Sequence, residues 1–409
     1  MSNQSLSSGH EGNLRDQFTA YVQRVRGGEM GSLPALSALV ALGILFSSLS
    51  PYFLTNLNFA NLFTQAAQLA VLAMGLVFVL LLAEIDLSAG VTGATGMGIF
   101  VILTLRMGWD PVLALVVSFV FGVLVGALIG FFVARVGVPS FVITLGLFLG
   151  FQGVLLIMLG DGGIFRVDVE WIKAIQNENL PAWGGWTLLG IVVVVSLLMG
   201  LWDRSRRARA GLVNKPISIL WIKVLATIVI GGIAVYILNE NRSVSIKPIS
   251  GVPIVIPVVI AILFIGTFVL DRTRYGRHLY AVGGNPEAAR RAGIKVAMVR
   301  VTAFMICSGL AVFSGLLQTS RLGTVESTAG RTIVLTAVAA AVVGGVSLFG
   351  GRGRLSNAIV GAFVLAMIDN GLGLIGLPAG INFLVTGGVL AAAATIDALS
   401  RKRSGGART

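Results

Sequence analysis

From Gly31 to Ala83 the chain carries no charged side chain. A bilayer core takes about 20 apolar residues per helical crossing, so this run has room for two crossings with a turn at Pro51. The rest of the chain continues in kind. Hydrophobic residues make up 56% of the 409, charged residues 11%, and the mean hydropathy is +0.92. Globular domains average about 25% charged residues, so this composition belongs with membrane proteins. The 53 glycines against 11 prolines fit closely packed membrane helices.

Twelve spans are predicted, at 33–51, 58–83, 88–106, 111–134, 139–160, 187–202, 217–238, 253–271, 299–318, 332–346, 355–376 and 379–399. The fold class is therefore all-α, a polytopic membrane protein with about 12 transmembrane helices. The net charge of +13 raises the question of nucleic acid. Its distribution answers as the positive-inside rule requires. With the N-terminus inside, only Arg106, Arg166, Lys173, Arg242, Lys247, Arg321 and Arg331 fall on outer loops. The other 23 of the 30 Lys and Arg lie at or near inner ends, including Arg204 to Arg209, Arg272 to Arg300 and Arg401 to Arg403. No nucleic-acid partner is expected. The organisation is then a polar cytoplasmic tail at 1–32, a membrane domain at 33–399 and a basic cytoplasmic tail at 400–409. An outer loop occupies 161–186 and an inner loop 272–298. The first 32 residues lack the charged start and short apolar core of a secretory signal, so the N-terminus is expected to be retained.

The inner loop holds the only substantial soluble-looking stretch, RYGRHLYAVGGNPEAARRAGIKVAMVR. It reads as a short capped helix over 286–292. Asn285 suits the N-cap, Pro286 the first helical position, and Glu287 the first turn, where the helix dipole favours an anion. Arg290 and Arg291 stand toward the other end, and Gly293 can adopt the left-handed conformation that stops the helix. Seven residues give about 10 Å of helix, too little to be stable alone in water. The segment is expected to dock on something, having nothing of its own to pack against.

Two pairs of spans meet at glycine-rich breaks. The second and third join through AEIDLSAGVTGATGMG, and the tenth and eleventh through VVGGVSLFGGRGRLSNAIVG. Aligning Asp86 with Ser347 places Gly90 on Gly351. Asp86, Ser88, Gly90, Gly350 and Gly351 are the residues expected to shape the breaks. The second span is assigned out-to-in and the tenth in-to-out, which would make the halves an inverted repeat. A glycine-biased coincidence would give the same short match. Gly122, Gly126 and Gly130 form a tandem GxxxG stripe, read as helix packing.

Polar groups within the spans are few. Glu84 and Asp86 flank the first break, and Asp369 and Asn370 sit in the eleventh span. Ionisable groups in lipid are functional candidates by default, yet Glu84 and Asp86 could equally satisfy donors at a helix end. Asn61, Gln65 and Gln68 fall near one face of the second span, and Gln152 interrupts the fifth. Uncharged amides suit a neutral hydroxylated solute; interhelical hydrogen bonding is the alternative use. Two histidines, His10 and His278, cannot assemble a metal site, and Cys307, the only cysteine, has no disulfide partner within the chain. There is no GxxxxGK[ST] loop, and the GxGxxG match at 371–376 lacks its strand and acidic residue, so it is read as a turn. Trp171, Trp183 and Trp186 are expected at the lipid interface, with contact to an external protein as the alternative use.

These motifs jointly carry a resemblance. EAARRAG at 287–293 resembles the EAAxxxG coupling signature of bacterial ABC importer permeases. With GRHLYAVGGNPEAARRAGI, IDLSAG, PSFVITLG and VVGGVSLFGGRG, nearly all of the chain beyond the tail resembles the permease family for ribose, galactose and xylose. The resemblance implies an inverted-repeat importer fold and a neutral monosaccharide, with xylose first because the longer chain is similar to the xylose permeases. It implies a separate cytoplasmic ATPase whose groove receives helix 286–292, a periplasmic sugar-binding protein, and a second permease copy in the bacterial inner membrane. Glu287 would dock or cap, Ala288 and Ala289 would allow close approach, and Gly293 would release the chain. Arg290 and Arg291 would pair with the ATPase or face water. No catalytic role and no cofactor on this chain are implied. Such permeases commonly have about ten spans, so 187–238 reads as an added hairpin. Two other classes stay open: an ion-coupled carrier using Glu84, Asp86 or Asp369, and an enzyme acting on lipid-linked sugars.

Overall fold

The computed structural model describes residues 31–212, 214, 216–243, 246 and 248–406, the side chains of 400–406 excepted. The predicted N-terminal tail, all but its last two residues, lies outside them, as do Lys215, Lys247 and the last three residues of the C-terminal tail.

Each predicted span corresponds to a helix. In chain order these are α1 (Leu33–Leu49), α2 (Asn56–Leu80), α3 (Ala89–Val101), α4 (Pro111–Phe131), α5 (Ser140–Leu159), α6 (Glu170–Asn177), α7 (Ala182–Arg209), α8 (Ile217–Asn239) and α9 (Val255–Arg272). They continue with α10 (Arg274–Gly284), α11 (Pro286–Arg291), α12 (Val296–Leu322), α13 (Ile333–Val343), α14 (Leu355–Leu374) and α15 (Ala379–Gly406). Among the described residues ten helices are long and apolar enough to cross a membrane; α1 and α13 are shorter. The twelve expected spans thus correspond to ten helices of crossing length and two shorter apolar ones. At 11 residues α13 measures about 16 Å, half a bilayer core. α7 starts five residues before the predicted span and extends seven beyond it, so the outer loop is shorter than 161–186. Two strands, β1 (Ile164–Arg166) and β2 (Thr324–Glu326), pair antiparallel with Phe165 opposite Val325.

The described chain falls into two compact units. The smaller contains 179–252, where α7 and α8 pack as a hairpin. Its ends are drawn together by Arg242, whose guanidinium donates to the carbonyls of Leu238 (2.6 Å) and Gly251 (3.0 Å) and to Asn179 Oδ1 (2.6 Å). The larger unit, 31–178 with 253–401, is built around α2. From Ala66 to Leu82 every residue of α2 and its C-terminal turn is buried, as an all-round apolar helix requires. Around it stand α9, α12, α13 and α14, while α3 and α4 pack on α12. The tandem glycines are packing residues. A methyl on Gly122 would lie 2.9 Å from the Ser308 carbonyl oxygen, and one on Gly126 2.6 Å from Met305 Cα, so α4 and α12 touch backbone to backbone.

The direction assigned to the tenth span needs correction. Asn370 Nδ2 donates to Asn58 Oδ1 at 2.8 Å and Phe63 meets Phe363, so α14 runs antiparallel to α2. Asn357 Nδ2 donates to the Gly344 carbonyl at 2.8 Å, and Gly361 lies against Ala340, so α13 runs antiparallel to α14. Hence α13 is parallel to α2. The two breaks follow parallel helices, so their likeness is no sign of inversion. The GxGxxG match is corrected in part: Gly371 to Leu374 are the last turn of α14, and the turn follows.

Candidate functional site at the inner loop and the broken spans

The short helix forms where its caps place it, one residue shorter than expected. Asn285 Oδ1 accepts from the Ala288 amide at 2.9 Å, Pro286 opens α11, and Gly293 holds φ at +82°. Glu287 lies 3.6 Å from Arg290 and 3.4 Å from Arg291, so both arginines pair within the helix. All of 284–293 is exposed except Ala289, which is 4% exposed and turned into the protein's own core. Of the expected alanine pair, then, only Ala288 remains outward.

The expectation that this segment has nothing of its own to pack against fails. An unpredicted helix, α10, precedes it, capped by Thr273 Oγ1 accepting from the Gly276 amide at 3.2 Å. Gly276, Leu279 and Val282 form its buried stripe at helical spacing. Tyr280 donates its hydroxyl to the Gly353 carbonyl at 2.8 Å. Burial, with Asp271 nearby, pushes that hydroxyl up to about 12, so it remains a donor through the cellular pH range.

The first break unwinds over Leu81–Ser88. Ala83 takes a positive φ of 59°, the only non-glycine to do so among the described residues. Asp86 Oδ1 accepts from the Ser88 amide (2.9 Å) and hydroxyl (2.6 Å), a local turn that leads into α3. Its carboxylate is fully buried, with the Cys307 thiol beside it. Glu84 lies 3.4 Å from Arg300 at the start of α12. The Ile85 amide donates to Ser140 Oγ at the start of α5 at 3.2 Å. Gly90 needs glycine for close approach, since a methyl would overlap the Gly330 carbonyl and sit 3.1 Å from Ile333.

The second break repeats the first only at its opening. Ser347 Oγ accepts from the Phe349 amide at 3.3 Å, as Asp86 does from Ser88, and donates to Asp397 of α15 at 2.9 Å. Gly351, aligned with Gly90, serves differently: like Gly350 it has a left-handed φ, 71° and 79° respectively.

The polar residues of the spans divide. Gln68 is buried and Gln65 half-buried on α2, whereas Asn61 is exposed. Ser314 of α12 donates to the Gln68 carbonyl at 3.0 Å. Asn370 joins Asn58, a residue the sequence pattern did not single out, and Asp369 accepts from Asn382. Gln65 Oε1 and Asn370 Oδ1 are buried without hydrogen-bond partners among the described residues. Gln152 is half-buried on α5, which packs chiefly on α3, and is not brought to this set.

A family model described as the permease component of a branched-chain amino acid transport system matches residues 58–394. The chain is 35% identical to the xylose transport system permease protein XylH of Escherichia coli (strain K12), over 90% of this chain and 92% of that protein. Identity to the ribose import permease protein RbsC of the same strain is 28%, over 90% and 93%, and to its D-allose transport system permease protein AlsC 28%, over 91% and 92%. No solved structure matches. These relatives are named as transport permeases, not as enzymes. The chain thus belongs to the bacterial ABC-type monosaccharide permease family its motifs resemble, as a multi-pass protein of the inner membrane.

Proposed function

We propose that the chain is the membrane subunit of an ATP-driven importer for a neutral monosaccharide, D-xylose first, working by alternating access. The observation that carries this reading is α11: a capped, charged and exposed helix with one buried residue, presented on the basic inner face. A six-residue helix held open to water has the form of a docking element, and the partner is a separate ATPase subunit received at Glu287, Ala288, Arg290 and Arg291. A periplasmic sugar-binding protein delivers the substrate, a second permease copy completes the complex, and both termini face the cytoplasm. This chain binds no cofactor of its own. Xylose is favoured because the xylose permease relatives, at 35% and 34%, are more similar than the ribose and allose permeases at 28%.

The solute path runs beside α2 and α14, past Asn61, Gln65, Gln68, Asp369 and Asn370. The unpartnered amide oxygens of Gln65 and Asn370 accept from sugar hydroxyls, which replace the hydrogen bonds these atoms lack. Glu287→Lys tests the central claim. It replaces two exposed ion pairs, each worth about 0.3–0.5 kcal/mol, and reverses a favourable dipole contact of about 0.3–1 kcal/mol. Protein level should stay near normal while xylose uptake into cells and co-purification of the ATPase are lost. Full uptake by this variant would remove α11 from the mechanism.

A further inference from the structure

The inner ends of both broken spans and the C-terminal end of α10 meet backbone to backbone. The Gly351 amide donates to the Leu81 carbonyl at 2.8 Å. That carbonyl, just past α2, has no intrahelical partner of its own, so a residue from the other break supplies one. Gly283 of α10 lies against the same carbonyl: a methyl there would overlap Leu81 O and come within 3.0 Å of the Gly351 amide nitrogen. Gly350 sits equally close, its absent methyl 3.0 Å from the Gly283 carbonyl oxygen and 2.9 Å from the Ala83 nitrogen. The absent methyl of Gly351 would lie 3.3 Å from Gly284 Cα. Tyr280, one turn earlier on α10, holds the Gly353 carbonyl at 2.8 Å.

We infer that α10 is a clamp on both breaks at once, with Gly283 and Tyr280 as positioning residues that make the first and second breaks move together when α11 is moved. The inference rests on the docking reading of α11 and adds where the motion goes. Only Asn285 separates α10 from α11, so movement of one is passed to the other with little slack. The three backbones touch with no side chain between them. Moving α10 by about 1 Å without the breaks would forfeit a large part of the attraction at both contacts, so the two breaks follow it. Glu84, paired with Arg300 just beyond α11, gives the first break a second tie to the same inner segment.

Paired cysteines at Gly284 and Gly351 in the full complex test this. The native Cys307 is fully buried and does not compete. Oxidation should join the two cysteines and leave both sugar uptake and ATPase association close to those of the reduced protein, because the linked segments move as one body. Gly351→Cys alone reports the strain of its left-handed backbone. Tyr280→Phe keeps the ring and removes only the hydroxyl, so it should fold normally, bind the ATPase, and lower uptake severalfold with ATP hydrolysis maintained. Failure of the disulfide to form, loss of uptake on cross-linking, or wild-type uptake by Tyr280→Phe would each overturn the clamp. The docking reading fails separately, when Glu287→Lys still binds the ATPase and transports.

Discussion

Adding one methyl group to Gly126 should destabilise the protein, whereas the same addition at Gly150 should not. On Gly126 the methyl carbon would lie 2.6 Å from Met305 Cα, where ordinary carbon contact is about 3.5–4.0 Å. The obstacle is backbone of α12, which cannot rotate aside, so α4 must withdraw by about 1 Å. Gly122 and Gly130 lie on the same stripe, so their close contacts with α12 open as well. A buried overpacking of this kind costs about 1–3 kcal/mol. At Gly150 on α5 nothing stands within 4 Å of the added carbon. There Gly→Ala gains helix propensity, up to about 1 kcal/mol by scales measured in water. Unfolding of the two purified variants in mixed micelles, titrated with denaturing detergent and followed by circular dichroism, measures the difference. Equal stability for Gly126→Ala and Gly150→Ala would refute the backbone contact between α4 and α12.

Ala83→Gly should stabilise the protein by about 1 kcal/mol in the same assay, since Ala83 holds a left-handed φ of 59° that glycine adopts freely; a loss of stability would show that the methyl is needed for packing. A reporter active only in the cytoplasm should work when inserted near Gly284 or after Ser205 and fail near Trp171 or Ser243. The same result at Trp171 and Gly284 would overturn the proposed orientation.

The local parts of this molecule were legible because their causes are local. Charge-free runs located the helices, and Asn285, Pro286, Glu287 and Gly293 announced α11 by the chemistry of its caps. α10 was missed because its stripe of Gly276, Leu279 and Val282 is short, weakly apolar and set among arginines. The likeness of the two breaks misled for a physical reason. Asp86 and Ser347 both accept from the amide two residues on, which any short acceptor does at a helix end, whatever the direction of the helix. Direction follows from α14 reversing against α13, its neighbour in the chain, and against α2, about 300 residues away. The meeting of Leu81, Gly283 and Gly351 left only glycines as its trace, and glycines are frequent here. Asn58 gave no signal either, since its partner Asn370 is known only from the folded chain.

Asp86 separates the importer from an ion-coupled carrier most sharply. Its Oδ1 accepts two hydrogen bonds from Ser88 at the start of α3, which is a structural use that needs an acceptor and no charge. Its carboxylate is the group a proton or cation would exchange at, being fully buried, with the Cys307 thiol beside it. The other two acids are engaged, Glu84 with Arg300 and Asp369 with Asn382. Asp86→Asn retains an oxygen where Oδ1 stands and removes the titrating group. Asp86→Ala removes both, leaving the Ser88 amide without its acceptor at a cost of about 1–3 kcal/mol. If the residue caps α3, Asn should keep normal protein level and most of the uptake, while Ala should lower the amount of protein in the membrane. An exchanging carboxylate gives the opposite order: the Asn variant accumulates normally and transports nothing, and the wild type loses uptake in the presence of an uncoupler even with ATP maintained.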